Sequence, residues 1–404
     1  MYTAHQTPFF PSHGCWLYGV NPLYVQAENL TWDELVTLDG CAYDDGYDCV
    51  RMLVSAEDTA TAALLETDYA HLAGKTADGS LCFELTLGDC PLLPIPMHPA
   101  YRFGEMTPWG GDKLGSLFGK AIPDPRTGEA LEISAIPGLE SVSPFGETLT
   151  ELINLESTAL TGTDPEKPFP LLLKLLCTRE PLSVQVHPDD AYAAAHEDKL
   201  GKTEAWVILS AEEGASILYG IREGVTIEDL RRALTAGDDI EPMIRRVFVN
   251  PGDVFYMPSG MVHAVSGGIV LYEIQQSSDI TYRLWDYNRT NAKGEKRPLH
   301  IQQSLDVIDA RLQGQRAQMP EGGNAVICLL DVPCFKLNCA CVDGELPLNR
   351  PGSFVMLTAL DALHLCWQGT EMPLSSGESV LLPASCPHVW LKGKGRALLS
   401  APRG

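Results

Sequence analysis

The sequence predicts a mainly β protein made of two antiparallel jelly-roll barrels, with a few helices and a small mixed α/β extension at the N-terminus. Short apolar strands separated by Gly- and Pro-containing turns predict the barrels, because this spacing is typical of closed antiparallel architectures. A faint internal repeat predicts that there are two barrels: SSGESVLLPASCPHVW near the C-terminus parallels NPGDVFYMPSGMVHAV, which begins at Asn250. The length of 404 residues agrees, since such a chain divides into two or three domains.

Residues 1–94 form the predicted extension, whose pattern mixes helix and strand signals. Thr31 and Glu34 have the spacing of a capping box before an apolar helical pattern, and a second helix is predicted within SAEDTATAALLE. LCFELTL alternates as a strand does. The Pro-rich residues 91–100 mark the end of the extension, because proline breaks helices and favours extended chain. The extension contains no chemical motif, so its role stays open.

Residues 95–312 are predicted to form the first barrel, with helical insertions. Trp109-Gly110-Gly111 has the composition of a turn with an aromatic anchor. DDAYAAAHEDKLG is predicted to be a helix that ends at Gly201. One further helix begins with a capping box formed by Thr148 and Glu151, and another has Thr226 as its N-cap and Asp229 at the third helical position.

Residues 313–404 are predicted to form the second barrel, from short strands such as FKLNCACV, SFVMLTAL and SVLLPA. His388 in this part occupies the place that His263 has in the first copy of the repeat. The second copy lacks counterparts of Gln185, His187 and Glu204, so we expect it to be structural and free of metal.

Charge and composition exclude several classes of function. The net charge of −24 argues against nucleic acid and anionic membrane surfaces as partners, because both are polyanions. No run of about 18 apolar residues is present, and the N-terminus lacks the basic start and apolar core of a secretory signal. The 12 cysteines are scattered without a CxxC pair, as in proteins with reduced, buried thiols. We therefore expect a cytoplasmic protein, in which any anionic substrate needs a local basic pocket.

The segment PLSVQVHPDD, residues 181–190, is the centre of the candidate site. Gln185 and His187 are two residues apart, so on a strand their side chains point to the same face, which Ser183 shares. The apolar residues between them point the other way, toward a core: Leu182, Val184 and Val186. One face of this strand can therefore hold a metal.

Glu204 and His263 complete a candidate metal site with Gln185 and His187. Catalytic zinc uses three or four nitrogen and oxygen ligands and keeps a position for substrate or water. Two imidazoles, one carboxylate and one amide oxygen meet that requirement, and the absence of a thiolate fits a catalytic ion better than a structural one. Taken singly, each residue has a structural explanation, such as a hydrogen-bonded strand histidine or a solvated carboxylate. Their combination and order are much more specific.

Two basic residues belong with this group. Lys202 lies two residues before Glu204, so on a strand both side chains face the same way. Arg283 is on ITYRLWDY, on the face shared by Asp279, Thr281 and Trp285 and opposite to Ile280, Tyr282 and Leu284. A single lysine or arginine is more often a surface residue or a salt-bridge partner. Beside a metal, both can stabilise a negative charge that develops during a reaction.

Six motifs in order carry a resemblance to a known family: TPWGGDKLGSLFG, GEALEISA, PLSVQVHPDD, LGKTEAWVIL, VNPGDVFYMPSGMVHAV and YEIQQSSDITYRLWDYNR. With these motifs the chain, from about Pro94 to the C-terminus, resembles the type I mannose-6-phosphate isomerases. These are zinc enzymes with a cupin core, the double-stranded β-helix form of the jelly roll. Family members of the short bacterial form begin near the equivalent of residue 95, so the resemblance does not account for the extension.

The resemblance implies roles for individual residues. By it, one zinc ion per chain is held by the Gln and His of QVHP, the Glu of GKTE and the His of PSGMVHA, which are Gln185, His187, Glu204 and His263. The resemblance also implies that Arg283 and Lys202 act in catalysis. Substrate binding is implied for Ser183, Lys202 and Arg283.

The leading hypothesis is interconversion of mannose 6-phosphate and fructose 6-phosphate by a monomer or homodimer. A proton would move between C2 and C1 through an enediol or enediolate, with Lys202 as one candidate for the base. Two alternatives stay open. One is another cupin metalloenzyme, such as a dioxygenase, because two histidines and a carboxylate also bind Fe(II). The other is a regulator that binds a sugar phosphate without turnover.

Overall fold

The structure, a computed structural model, describes residues 2–5, 22–27, 30, 49–65, 71–75, 79–86 and 92–403, except residues 145, 163–166, 292, 349–351, 368 and 387. Most of the strands lie in four predominantly antiparallel sheets, which confirms the prediction of a mainly β protein. Helices are few and short, as expected from the sequence.

The strands are numbered in chain order. The N-terminal part contains β1 (Tyr2–His5), β2 (Pro22–Ala27), β3 (Cys49–Val54), β4 (His71–Lys75) and β5 (Leu81–Thr86). The middle part contains β6 (Ile95–Met97), β7 (Ala100–Phe103), β8 (Thr127–Ile133), β9 (Leu171–Thr178), β10 (Val184–Val186), β11 (Glu204–Ala211), β12 (Ser216–Ile221), β13 (Ile244–Phe248), β14 (Asp253–Met257), β15 (His263–Val265), β16 (Ile269–Gln276) and β17 (Tyr282–Trp285). The C-terminal part contains β18 (Gln315–Gln318), β19 (Ala325–Asp331), β20 (Phe335–Pro347), β21 (Val355–Ala359), β22 (Leu363–Trp367), β23 (Thr370–Leu374), β24 (Ser379–Leu382) and β25 (Trp390–Pro402).

The described helices are α1 (Thr59–Leu65), α2 (Lys113–Phe118), α3 (Leu149–Thr161), α4 (Asp190–His196), α5 (Ile227–Ala236) and α6 (Ile301–Val307), with a short 3-10 turn at Glu241–Met243. The capping box predicted for Thr148 and Glu151 is present at the start of α3, and Thr226 caps α5 as predicted, in a capping box with Asp229. α4 ends at His196 and not near Gly201, because the chain turns through Asp198 in the left-handed region (φ 53°). None of the described helices is long and apolar enough to cross a membrane.

The N-terminal extension has a sheet of its own, in the order β1-β2-β3-β5-β4. Its strands pair antiparallel except for β2 and β3, which are parallel. One face packs against α1 through Val50, Met52 and Leu65. On another side Cys82 packs with Leu155 of α3. The predictions of α1 and β5 are confirmed, whereas the helix predicted after Thr31 lies outside the described residues.

The seven-stranded sheet has the order β18-β14-β11-β16-β9-β8-β7, and its strands β16, β9 and β8 are buried on both faces. Neighbouring side chains on a strand point to opposite faces. In β9, Leu173 and Leu175 pack in one cluster with Phe335 from the C-terminal part of the chain. Lys174 and Leu176, which alternate with them, line a cavity on the other side. This sheet therefore separates the core between the two barrels from the interior of the first barrel.

The five-stranded sheet, in the order β13-β12-β15-β10-β17, closes the first barrel. Val184 and Val186 of β10 pack with Leu230 of α5 and Leu305 of α6 on its outer face. Gln185, between the two valines, lines the interior cavity. The alternation predicted for residues 184–186 is thus present, and it points one polar side chain into the barrel.

Trp285 differs from its predicted position. The sequence alternation places it on the face of Arg283, but its ring packs in the outer apolar cluster with Tyr282 and Leu284. The pairing of β10 with β17 shifts register between Val184 and Gln185, as at a β-bulge. A bulge inserts an extra residue and breaks the two-residue alternation, so Trp285 turns outward.

The C-terminal part forms the eight-stranded sheet, in which β19-β20-β25-β21-β24-β6 are neighbours and the β22–β23 hairpin pairs with β25. Its own apolar cluster includes Leu357, Leu365 and Leu391. β6, just after the extension, pairs with β24 of this sheet, and β18 pairs with β14 of the first barrel. The chain thus crosses between the barrels near both proposed boundaries, and the division at residues 95 and 313 stays a prediction.

Gly110 lies where the predicted aromatic turn meets β8. A Cβ at this position would lie 2.5 Å from the Gly128 nitrogen and 2.7 Å from the Arg126 carbonyl oxygen, so backbone would have to move. We expect Gly110→Ala to lower the free energy of unfolding by about 1–3 kcal/mol, measured by urea denaturation. Gly322→Ala is the control, because a Cβ there meets nothing within 4 Å. Equal free energies of unfolding for Gly110→Ala and Gly322→Ala would contradict the close contact of Gly110 with the backbone of residues 126 and 128.

Candidate functional site

The candidate site lies in a cavity of about 260 Å³ inside the first barrel. Its walls come from strands of the five-stranded and seven-stranded sheets and from the loops beside them. They are formed by Arg102, Met106, Thr107, Trp109, Glu129, Lys174, Leu176, Leu182, Ser183, Gln185, Lys202, Glu273, Ser278, Asp279, Thr281, Arg283 and Arg297. A barrel interior is usually apolar, so this concentration of charge indicates a site for a polar ligand.

A larger cavity of about 530 Å³ adjoins this one and shares Ser278 and Asp279 with it. Ile136, Pro137 and Phe169 give it a mostly apolar wall. We place the chemistry in the smaller cavity, because Gln185 and Lys202 line it beside the group of metal-ligating side chains.

His187, Glu204 and His263 form a buried group that can hold a metal ion. Their ligand atoms lie within 4.8 Å of one another, and no other such group is found among the described residues. Glu204 and His263 begin β11 and β15, and His187 directly follows β10. Gln185 pairs with His263 across the two strands, and its Nε2 lies 3.3 Å from Nε2 of His263. The structure thus brings together all four predicted ligands.

Backbone carbonyls orient both imidazoles. His187 donates from Nδ1 to the Ile280 oxygen at 2.8 Å, and His263 donates from Nδ1 to the Met261 oxygen at 2.9 Å. A neutral ring that donates through Nδ1 presents an Nε2 lone pair, as metal-ligating histidines do. The two Nε2 atoms lie 3.5 Å and 3.1 Å from the carboxylate oxygens of Glu204. The rings are therefore held with their lone pairs toward a common point.

The surroundings favour the deprotonated forms that a metal requires. Burial lowers the pKa of His187 well below its usual value, and the charge of Lys202 lowers it further. Burial alone would raise the pKa of Glu204, but Lys202, His187 and His263 hold it well below its usual value. A neutral imidazole and an ionised carboxylate are the forms that bind metal.

Glu204 provides the test of whether a metal fits. Its side chain is fully buried, and neither carboxylate oxygen accepts a hydrogen bond of good geometry, although Lys202 Nζ lies 2.7 Å from Oε2. A buried carboxylate is costly without such partners, and a cation between Glu204 and the two histidines would supply what is missing. The amide of Gln185 can turn its oxygen to the same point, because rotation about the last side-chain bond exchanges the positions of the amide oxygen and nitrogen. The residues therefore fit a metal ion.

The remaining predicted site residues also line the cavity: Ser183, Lys202 and Arg283. Burial lowers the pKa of Lys202, but attraction to Glu204 and Glu273 outweighs burial, so the pKa is raised and the ammonium stays charged. Arg283 pairs with Gln185 across β17 and β10, which fixes it beside a predicted metal ligand. Its Nη1 donates to the Pro298 oxygen at 2.9 Å.

A network of buried charges that was not predicted from the sequence lies on β7, β8, β9 and β16 of the seven-stranded sheet. Lys174 Nζ lies 3.3 Å from Glu273 and 3.7 Å from Glu129, and Arg102 lies 3.2 Å from Glu129. Trp206 donates from its indole nitrogen to Glu273 at 3.0 Å. Burial raises the pKa of Glu129, but Lys174 and Arg102 outweigh it and the pKa is lowered. Both carboxylates are thus held by cations beside the metal group.

A signal for this network was present in the sequence. Lys174 interrupts LLLKLLC and Glu273 interrupts IVLYEIQ, each a single charge within an otherwise apolar strand. A charge is rarely buried without a partner, so two such strands predict a buried pair. The pairing of β16 with β9 places Glu273 directly opposite Lys174.

Comparison with known proteins agrees with this geometry. A family model described as "Phosphomannose isomerase type I, catalytic domain" matches residues 107–205, a range that contains Ser183, Gln185, His187 and Glu204. A mannose-6-phosphate isomerase of Streptococcus mutans is 39% identical over 282 residues, which are 68% of this chain and 88% of that relative. A mannose-6-phosphate isomerase of Bacillus subtilis is 36% identical over 301 residues, 72% of this chain and 94% of that relative.

A solved structure shares the architecture as well. The crystal structure of mannose 6-phosphate isomerase from Bacillus subtilis has a TM-score of 0.66 and 32% identity, and the match covers 76% of this chain and 99% of that one. The relative is thus matched almost whole, while about a quarter of this chain has no counterpart in it. Sequence identity over most of the chain and a shared fold lead to one conclusion: the chain belongs to the type I phosphomannose isomerase family.

Proposed function

We propose that the chain is a zinc-dependent mannose-6-phosphate isomerase, which interconverts mannose 6-phosphate and fructose 6-phosphate. The observation that carries the proposal is the buried group of His187, Glu204 and His263 at the edge of a charged cavity, in a chain of this family. An aldose–ketose isomerase must ionise a C–H bond next to a carbonyl near neutral pH, and this site offers the groups for it.

Zinc would be held by Gln185, His187, Glu204 and His263. Two neutral imidazoles, one carboxylate and an amide oxygen, without thiolate, form a donor set typical of catalytic zinc. When bound, the ion supplies a Lewis acid that polarises the sugar oxygens at C1 and C2. Two histidines and a carboxylate without a further ligand would also fit Fe(II). Gln185, whose Nε2 lies 3.3 Å from Nε2 of His263, adds a fourth ligand and favours zinc.

Lys202 and Arg283 stabilise the negative charge that develops on the sugar oxygens. Both are cations that line the cavity, and both are fixed: Lys202 by Glu204 at 2.7 Å, and Arg283 by the Pro298 oxygen at 2.9 Å. Donors that are already oriented lose little energy in reorganisation when the charge appears. Ser183, which is buried at the cavity wall, contributes a hydroxyl for the substrate.

Besides Lys202, we propose Glu273 as a candidate for the catalytic base. A base must remove the proton from C2 of mannose 6-phosphate and a proton must be delivered to C1, with the enediolate between the two transfers. Lys202 Nζ contacts Glu204, whereas the side chain of Glu273 lines the cavity, with Oε2 accepting from Trp206 and Oε1 in an ion pair with Lys174. Lys174 holds the Glu273 carboxylate in place at 3.3 Å.

A coupled assay with mannose 6-phosphate tests the proposal. We expect conversion to fructose 6-phosphate and, by elemental analysis, zinc as the bound metal. Removal of the metal with a chelator should abolish turnover, and added zinc should restore it, because the site then regains its Lewis acid. Full activity in metal-free protein would contradict the proposal. Iron with oxygen uptake would favour a dioxygenase, and binding without conversion would favour a regulator.

A further inference from the structure

Trp206 is the largest of the fully buried side chains in the described part of the chain. It lies on β11, two residues after Glu204, so both side chains point to the same face of the strand. A buried tryptophan usually fills a core, but its indole N–H still needs an acceptor. Here the acceptor is a charged group that lines the smaller cavity, which gives Trp206 a place beside the chemistry as well as in the core.

Glu273, the acceptor, is held from both neighbouring strands. It lies directly opposite Trp206 in the pairing of β11 with β16, and directly opposite Lys174 in the pairing of β16 with β9. The indole nitrogen donates to Oε2 of Glu273 at 3.0 Å, whereas Lys174 Nζ lies 3.3 Å from Oε1. The two carboxylate oxygens are thus tied to different strands, and Trp206 is the neutral partner.

The ring of Trp206 also contacts the metal-ligating group. Its centre lies 5.4 Å from the centre of the His263 ring, and the planes meet at 78°, which is an edge-to-face contact. His263 belongs to the five-stranded sheet, whereas Trp206 and Glu273 belong to the seven-stranded sheet. One buried ring therefore connects a predicted metal ligand on one sheet with the candidate base on the other.

The direction of the Glu273 carboxylate matters for proton transfer. A glutamate side chain has many rotamers, so a carboxylate that is held by a single cation can still swing about it. A general base must lie within hydrogen-bond reach of the proton that it removes. A misplacement of about 1 Å can cost roughly a hundredfold in rate. The indole N–H supplies the second point of attachment without adding another charge to the cavity wall.

We propose that Trp206 is a positioning residue, whose indole N–H fixes the carboxylate of Glu273 beside the metal-ligating group that its ring contacts. The inference rests on the proposed isomerase function, in which Glu273 is a candidate for the base. Trp206 is not among the residues that line the cavity, so it acts through Glu273 and not on the sugar.

Trp206→Phe in the zinc-loaded enzyme tests the proposal, because it keeps an aromatic ring near His263 and removes the N–H donor. We expect kcat for mannose 6-phosphate to fall about 10- to 100-fold, while KM and zinc content change little. Tyr272→Phe is the matched control. It removes a buried hydroxyl that bonds to Ser400 on the other face of β16, and it should leave kcat unchanged. Unchanged kcat in Trp206→Phe would overturn the proposal.

A second substitution separates positioning from packing. In 3-benzothienylalanine a sulfur atom replaces the indole N–H, so the ring keeps its size but donates no hydrogen bond. With this residue at position 206, we expect the same loss of kcat as in Trp206→Phe, and a circular dichroism spectrum that matches the unchanged protein. Full kcat in this variant would overturn the role of the N–H, since packing alone would then explain the effect of Trp206→Phe.

Crystal structures of the unchanged protein and of Trp206→Phe distinguish this inference from the isomerase proposal. A carboxylate of Glu273 that moves in the variant, in a protein that isomerises no sugar, would support the positioning role and refute the isomerase. Isomerase activity in both proteins, with the Glu273 carboxylate in the same place, would refute the positioning role alone.

Discussion

Replacement of His263 by alanine is expected to leave the protein without bound zinc and to lower kcat/KM by about a thousandfold or more, since the Lewis acid would be lost. His263 is fully buried, and its Nε2 lies 3.1 Å from Glu204 and 3.3 Å from Gln185. The substitution removes the imidazole from beside Glu204 and Gln185. It also leaves a small cavity next to Trp206, whose ring packs edge to face against the imidazole. Elemental analysis and the coupled assay measure both effects.

The fold should survive this change. β15 keeps its backbone pairs with β10 and β12, which do not depend on the imidazole. Circular dichroism of the variant should therefore match that of the unchanged protein. His196→Ala is the matched control, because His196 lies exposed on α4 and bonds only locally to the Tyr192 oxygen. Full activity in a metal-free His263→Ala protein would refute the metal site.

The position of Gln185 at the cavity could be predicted from the sequence, because it follows a local rule. Gln185 lies between two valines that need a core, so the two-residue alternation of a strand directs it to the interior. The capping boxes of α3 and α5 are also local, since each joins residues only three apart. Glu204 and His263 are far apart in the chain. Without the sheet pairing, only the motifs that contain them indicate that they lie in one site.

The parts that the sequence did not predict depend on contacts across sheets. Lys174 lies opposite Glu273 because of the register in which β9 pairs with β16. That register could not be predicted from the sequence of either strand. The bulge that turns Trp285 outward lies in the pairing of β10 with β17, and no glycine or proline in these strands predicts it. The end of α4 at His196 is set by a left-handed Asp198, a conformation usually signalled by glycine.

The ion pairs of Asp286 with Arg289 and Arg297 show a further limit of sequence reasoning. Asp286 and Arg289 are three residues apart, but Arg297 is eleven residues from the carboxylate that it shares. Only the folded turn shows that Arg297 lines the cavity. The net charge of −24 predicted that an anionic substrate needs a basic pocket, and it could not say which of the scattered arginines supply it.

Replacement of Arg283 by alanine is expected to retain zinc and to lower kcat about 100- to 1,000-fold, the effect of removing one preorganised donor from a developing negative charge. Arg283 lies on β17 opposite Gln185, its Nε is buried without a hydrogen-bond partner, and Nη1 is tied to the Pro298 oxygen. We expect its unpartnered nitrogen to gain a partner when negative charge develops on the substrate. Coupled assays and elemental analysis on the same preparation measure turnover and zinc together.

The kinetic constant that changes makes this prediction specific. An interaction made only in the transition state changes kcat, whereas one made equally with bound substrate changes KM. We therefore expect Arg283→Ala to act mainly on kcat. Arg283→Lys should recover part of kcat, because it restores the charge without the planar fork. Unchanged turnover in Arg283→Ala would exclude a catalytic role for Arg283, because the substitution removes its positive charge from the cavity and adds no other.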